Sequence, residues 1–144
     1  MSDSAHIQRA LNVAALGVGR TGENPTVGCV LTRDGVVIAE ARTADGGRPH
    51  AEEQALAHAG EAARGATAYV TLEPCAKRTS GSTSCADLLI AAGVARVVIA
   101  AADPHPFARG VGVERLKAAG IAVECGLFEA EARAQDPDFF SAWG

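Results

Sequence analysis

Gly65-Ala66-Thr67-Ala68-Tyr69-Val70-Thr71-Leu72-Glu73-Pro74-Cys75 is the stretch that decides the fold. Gly65 ends the helical pattern before it, Thr67 to Leu72 reads as a short buried strand, and Glu73 opens a loop running to Thr83. Outward from this strand, helices and strands alternate. Downstream, Ser84 to Ala92 reads as a helix closed by Gly93, and Arg96 to Ala101 as a strand. Val111 to Ala119 is a helix closed by Gly120, Ile121 to Cys125 a strand, and Phe128 to Ala134 a last helix. Upstream, a helix from Ala51 to Arg64 follows a polar loop, Thr43 to Pro49. Val27 to Thr32 and Val36 to Ala41 are strands joined at Arg33-Asp34-Gly35, the signature of a hairpin. Ser4 to Gly17 places Ile7, Ala10, Leu11, Ala14 and Ala15 at helical spacing. A helix, a hairpin and three β-α units imply a largely parallel second half. The expected architecture is a three-layer α/β/α domain with a five-stranded mixed sheet, one domain over residues 1–144.

Composition narrows the function. The apolar fraction of 48% supports a core, and a net charge of -4 argues against a nucleic-acid partner, which usually meets a basic stripe. An aromatic share of 4% leaves few platforms for stacked bases. No apolar run approaches the roughly 20 residues of a membrane span. The start, MSDSAHIQRA, lacks the basic and apolar stretches of a signal peptide, so a cytoplasmic location is expected. In that compartment cysteines read as ligands or buried thiols rather than disulfides.

Three segments carry chemistry: His50-Ala51-Glu52, Pro74-Cys75 and Cys85. One imidazole and two thiolates hold Zn2+ with a fourth position left for water, and the H-x-E…P-C-x-x-C arrangement is that of zinc deaminases. Here the second cysteine stands further downstream. His50 and Cys85 both fall at predicted helix starts, where the helix dipole favours thiolate. Glu52, two residues from His50, cannot easily join the shell. It is the candidate catalytic acid/base, moving a proton from water to the ring nitrogen and the leaving ammonia. His-x-Glu alone is weak; the joint pattern on its strand and helices is strong. Cys29 and Cys125 each sit in an apolar strand pattern and read as core thiols. His6 and His58 read as surface or packing residues.

With those segments in place the chain resembles the deaminase domain of the riboflavin-biosynthesis deaminase/reductase family, in the cytidine deaminase-like superfamily. The resemblance rests on Asn24-Pro25-Thr26-Val27-Gly28-Cys29-Val30, Pro49-His50-Ala51-Glu52, Gly65 to Cys75, Leu89 to Val98, and Asp103-Pro104. It runs from about Ile7 to Ala134, and the wide Cys75–Cys85 separation fits it. It implies the superfamily fold, catalytic zinc on His50, Cys75 and Cys85, and Glu52 as proton shuttle. It also implies that Asn24 holds the substrate ring and that Asp103 lies near it, at the carboxyl end of its strand. The implied reaction removes the ring amine of a diamino-hydroxy-pyrimidine bearing a ribosylamino 5-phosphate. The superfamily's habits imply a homo-oligomer, dimer or tetramer. No reductase half is expected here.

Departures from the family gather where substrate is expected. Thr43 stands where the family usually has His. The loop Ala76-Lys77-Arg78-Thr79-Ser80-Gly81-Ser82-Thr83-Ser84 is rewritten and one residue longer, and Asp103-Pro104-His105-Pro106 replaces Asp-Pro-Asn-Pro. Lys77 and Arg78 read either as phosphate ligands or as solvated surface cations. His105 reads either as a contact to a ring or sugar oxygen or as a turn residue. These changes leave open deamination of another nucleobase, nucleoside or amino-heterocycle. A different class, a non-catalytic zinc-stabilised metabolite-binding domain, is disfavoured by Glu52, since structural sites usually close the fourth position with protein. Phe139, Phe140 and Trp143 in the tail read either as a cover for the sheet or a helix seam, or as a subunit interface.

Overall fold

The computed structural model describes residues 2–76 and 84–142. Its helices are α1 (Asp3–Ala15), α2 (Ala51–Ala59), α3 (Cys85–Ala92), α4 (Val111–Ala118), α5 (Glu129–Gln135) and α6 (Pro137–Ser141). Its strands are β1 (Gly28–Arg33), β2 (Val36–Arg42), β3 (Thr67–Leu72), β4 (Arg96–Ala101) and β5 (Ala122–Cys125). They form one sheet in the order β2-β1-β3-β4-β5. The β1–β2 and β1–β3 pairs are antiparallel, and β3–β4 and β4–β5 are parallel. The expected three-layer mixed sheet is therefore present.

The hairpin turn is two residues long. Asp34 (φ 52°) and Gly35 (φ 79°) both take positive φ, the geometry whose twist matches the flanking strands. Within the sheet, side chains alternate between two buried faces. Cys29, Leu31, Ala68, Val70, Val97 and Ile99 face α2, α3 and α4. Val30, Tyr69, Val98 and Ala100 face α1, α5 and α6. Covering both faces explains why β4 carries an unbroken apolar run, Val97 to Ala101, rather than an alternating one. α1 lies so close to β1 that a Cβ at Gly28 would collide with the Ala10 carbonyl oxygen.

Three expectations need correction. α2 stops at Ala59 rather than Arg64, because Gly60 (φ 57°, ψ -134°) breaks the helix and a 3-10 turn, Gly60–Ala63, carries Ala63 into the core. The tail holds a further helix, α6, with Pro137 in its first turn, where a missing N–H costs nothing. Cys125 is exposed, not a core thiol, since β5 is an edge strand with little covering it. Cys29 is fully buried as expected; burial, and then the nearby Glu52 carboxylate, push its thiol well above the ordinary range. His6 is a packing residue, buried against Tyr69 with ring centroids 4.9 Å apart. Among the described residues, no helix is long and apolar enough to cross a membrane.

Candidate active site and metal centre

The site forms where three chain segments reach the carboxyl end of the central strand. β3 ends at Leu72 and delivers Glu73, Pro74 and Cys75. His50 is the N-cap residue of α2, and its backbone N–H donates to Glu53 Oε1 at 3.0 Å, which fixes the entry into the helix. Cys85 is the first residue of α3. Ser84 caps that helix, its hydroxyl accepting the Asp87 N–H at 3.1 Å. The two cysteine segments are tied to each other. The Cys85 N–H donates to Cys75 Sγ at 3.2 Å, and the Ala86 N–H donates to the Cys75 carbonyl at 2.9 Å.

These ties bring together the three residues that the sequence singled out. One donor atom each from His50, Cys75 and Cys85 lies within 4.8 Å of the others. Cys85 Sγ stands 3.5 Å from His50 Nδ1. A tetrahedral zinc with its usual Zn–S and Zn–N lengths needs an S···N edge of about 3.6 Å. The donor set therefore fits zinc in number, chemistry and spacing. Cys85 Sγ also sits at the N-terminus of α3, where the backbone N–H groups and helix dipole favour a thiolate.

His50, Cys75 and Cys85 open into a cavity of about 160 Å³, which Glu52, Asn24, Thr43 and Asp103 also line. Glu52 is 4% exposed, so its carboxylate is held inside the protein beside the donor set. Pro25, Val27, Leu72 and Phe139 give the same cavity apolar wall.

Asn24 is placed by a compact turn. Its N–H donates to the Thr21 carbonyl at 3.2 Å, the Thr21 hydroxyl donates to the Asn24 carbonyl at 2.7 Å, and its Nδ2 donates to the Gly47 carbonyl at 3.2 Å. Thr43 is 2% exposed, and its hydroxyl is engaged within the hairpin. Oγ1 accepts the Val27 N–H at 2.9 Å and donates to the Pro25 carbonyl at 3.3 Å. Asp103 accepts the His105 N–H on Oδ1 at 2.9 Å. Burial raises the Asp103 carboxyl above its ordinary range, and that hydrogen bond partly offsets the rise.

His105 is not among the residues lining the cavity. Its Nδ1 accepts the Phe107 N–H at 3.1 Å, and the two rings stand 5.7 Å apart, so it shapes the turn after Asp103. Lys77 and Arg78 lie outside the described residues, as does Trp143.

Two contributors escaped the sequence reading. Glu73, 4% exposed, gathers three backbone N–H groups: Asp103 and Gly110 on Oε1, both at 3.1 Å, and Val113 on Oε2 at 3.2 Å. It thereby caps α4 and fixes the loop that carries Asp103. The available signal was an acidic residue between a buried strand and a proline, where a charge is rarely buried without partners. Phe139 lines the cavity from α6, whose signal was the proline at its first turn. α4 in turn presses on the ligand loop: a Cβ at Gly112 would collide with the Pro74 carbonyl oxygen.

Comparison with known proteins agrees with this geometry. The family described as "Cytidine and deoxycytidylate deaminase zinc-binding region" matches residues 1–101. The riboflavin biosynthesis protein RibD of Escherichia coli strain K12 is 48% identical over 139 residues, covering 96% of this chain and 38% of that protein. A diaminohydroxyphosphoribosylamino-pyrimidine deaminase of Buchnera aphidicola subsp. Acyrthosiphon pisum is 41% identical over 140 residues, covering 97% of this chain and 95% of that protein. Among solved structures, Acinetobacter baumannii RibD superposes with a TM-score of 0.94 at 45% identity, over 98% of this chain and 39% of that one. The chain thus spans under half the length of the RibD proteins it matches.

Proposed function

The chain belongs to the riboflavin-biosynthesis deaminase/reductase family, and from that premise we propose that it is a zinc-dependent hydrolytic deaminase of an amino-pyrimidine. The substrate we assign is the diaminohydroxyphosphoribosylamino-pyrimidine named for the Buchnera relative, which the chain matches nearly end to end. One observation carries the reading. The His50, Cys75 and Cys85 donors converge on the cavity into which the buried Glu52 also faces. A donor set of three with a carboxylate beside it is the composition of a hydrolytic site rather than of a closed structural one.

Zinc bound by these residues supplies Lewis acidity, which makes a water acidic enough to attack near neutral pH. The protein's own groups do the rest. In the net reaction water adds to the amine-bearing ring carbon, the C–N bond breaks, oxygen stays as the ring carbonyl and nitrogen leaves as ammonia. Glu52 relays the two protons that the attacking water gives up, one to the ring nitrogen and the other to the departing nitrogen. Asn24 and Asp103 hydrogen-bond the polar edge of the ring. Glu73 keeps Asp103 in place through its three backbone N–H partners. The apolar wall excludes bulk water from the reacting carbon. Lys77 and Arg78 take the phosphate in this proposal, and His105 supports the Asp103 turn. The protein works in the cytoplasm, as a homo-oligomer, on a small metabolite.

One observation favours a second reading, deamination of a different amino-heterocycle. Thr43 lines the cavity with its hydroxyl already engaged by Val27 and Pro25, where the family usually offers an imidazole. Ammonia release from a panel of aminopyrimidines and aminopurines, with and without phosphoribosyl groups, separates the two. Turnover confined to the phosphoribosyl pyrimidine supports the first reading, and its absence there overturns it.

A further inference from the structure

We propose that Phe139 is the stacking face of the substrate site, covering one face of the heterocycle and limiting how large a ring is accepted. This rests on the deaminase reading above and deepens it. A planar amino-heterocycle has a polar edge and two apolar π-faces. Hydrogen bonds from Asn24 and Asp103 serve the edge and leave the faces to be covered. Among the described residues, Phe139 is the only aromatic side chain lining the cavity apart from His50, which belongs to the donor set.

The ring is held rather than loose. Phe140 beside it is 4% exposed and buried in the second core cluster, and the two rings meet edge-on at 5.4 Å and 86°. The Arg133 guanidinium lies 4.8 Å from the Phe140 ring centre. Gln135 Nε2 donates to the Leu11 carbonyl at 2.8 Å, and Asp136 Oδ1 accepts the Thr26 N–H at 2.9 Å. Thr26 directly follows Asn24 and Pro25, which also line the cavity. α6 and the Asn24 turn are therefore fixed as one unit, with the edge-binding and face-binding groups set relative to each other.

Phe139 also divides two spaces. A groove between residues 18–25 and 135–142 shares Asn24, Pro25 and Phe139 with the catalytic cavity. Glu23, Asp136 and Asp138 line that groove, so a phosphate is not drawn into it. Removing the Phe139 ring would join groove to cavity and make room for a second fused ring.

The test uses the zinc-loaded chain, with binding of diaminohydroxypyrimidine and of diaminopurine measured by calorimetry alongside ammonia release. Phe139→Ala is expected to keep zinc and fold, because Phe140 remains the anchor. It is expected to weaken pyrimidine binding about 10- to 100-fold and to raise diaminopurine affinity relative to pyrimidine. Phe139→Tyr should restore both. Where Phe139→Ala does not fold, Phe139→Leu, which keeps bulk and loses the π-face, should still weaken pyrimidine binding. Wild-type pyrimidine affinity and an unchanged purine-to-pyrimidine ratio in the Ala and Leu variants would overturn the proposal. Rings that bind wild type without ammonia release, and bind Phe139→Ala more weakly, sink the deaminase reading and leave the stacking role standing. A wild-type protein that binds neither ring removes both.

Discussion

Asp136 and Thr26 stand 110 residues apart in the chain, and the Asp136 carboxylate accepts the Thr26 backbone N–H at 2.9 Å. This single bond joins the tail to the loop before β1. It also puts a carboxyl where burial raises it to about 6, from an ordinary value of 3.8, the hydrogen bond only partly offsetting the rise. The folded state then holds a proton that the unfolded chain has lost, so this group's contribution to stability grows as pH falls from about 6 to about 4 and is lost as pH rises through that window. Asp136→Asn keeps an acceptor for Thr26 and removes the charge. Thermal unfolding at pH 7 should show the variant more stable by about 1–2 kcal/mol, a figure discounted for partial exposure. The gain should vanish near pH 4.

His6 should give the opposite slope. Burial lowers its imidazole below the ordinary 6.5, so the unfolded chain takes the proton first and stability falls as pH drops below that value. Asp3 raises the imidazole and Arg9 lowers it, and burial remains the largest cause. His6→Phe, measured by unfolding across pH 5 to 7, should flatten the acid limb.

Cys75→Ala should bring zinc from about one equivalent to almost none by elemental analysis, since two donors do not make a tetrahedral site. Glu52→Ala should retain the metal and lose about 100- to 10,000-fold in turnover, the usual worth of a placed general acid/base. Equal turnover in Glu52→Ala and wild type would remove Glu52 from the chemistry.

Glu73→Gln separates positioning from ligation. The amide can accept on one atom only, so some of the Asp103, Gly110 and Val113 N–H groups lose their partner. A stability loss of about 1–3 kcal/mol is expected. Zinc content should hold while KM rises, because Asp103 moves and the donors do not. Metal loss with unchanged KM would show that Glu73 serves the ligand loop instead.

Much of this was legible in the chain because it is local. The Asp34-Gly35 turn, the short buried strand β3, the helix opening at Ser84 and the His-x-Glu and Pro-Cys segments each carry their meaning within a few residues. What escaped depends on neighbours distant in sequence. Cys125 reads like Cys29, and only the strand order leaves it exposed on an edge strand. Ala62 and Ala63 keep the helical pattern of α2, while Gly60 takes a conformation that ends it. Glu73 looked like a connector within a motif until its three N–H partners, 30 to 40 residues downstream, were in place. Phe139 was one of three tail aromatics with two competing readings, and the Asp136 bond to Thr26 brings it to the cavity wall.

β3 is the middle strand of five, hydrogen-bonded on both sides and covered on both faces. Its amides should be the slowest in the molecule to exchange with deuterium. The thiol of Cys75 hangs three residues past its end, so one of the three donors is moored to the part of the chain expected to melt last. Chelating the metal should therefore leave an intact shell that reloads without refolding.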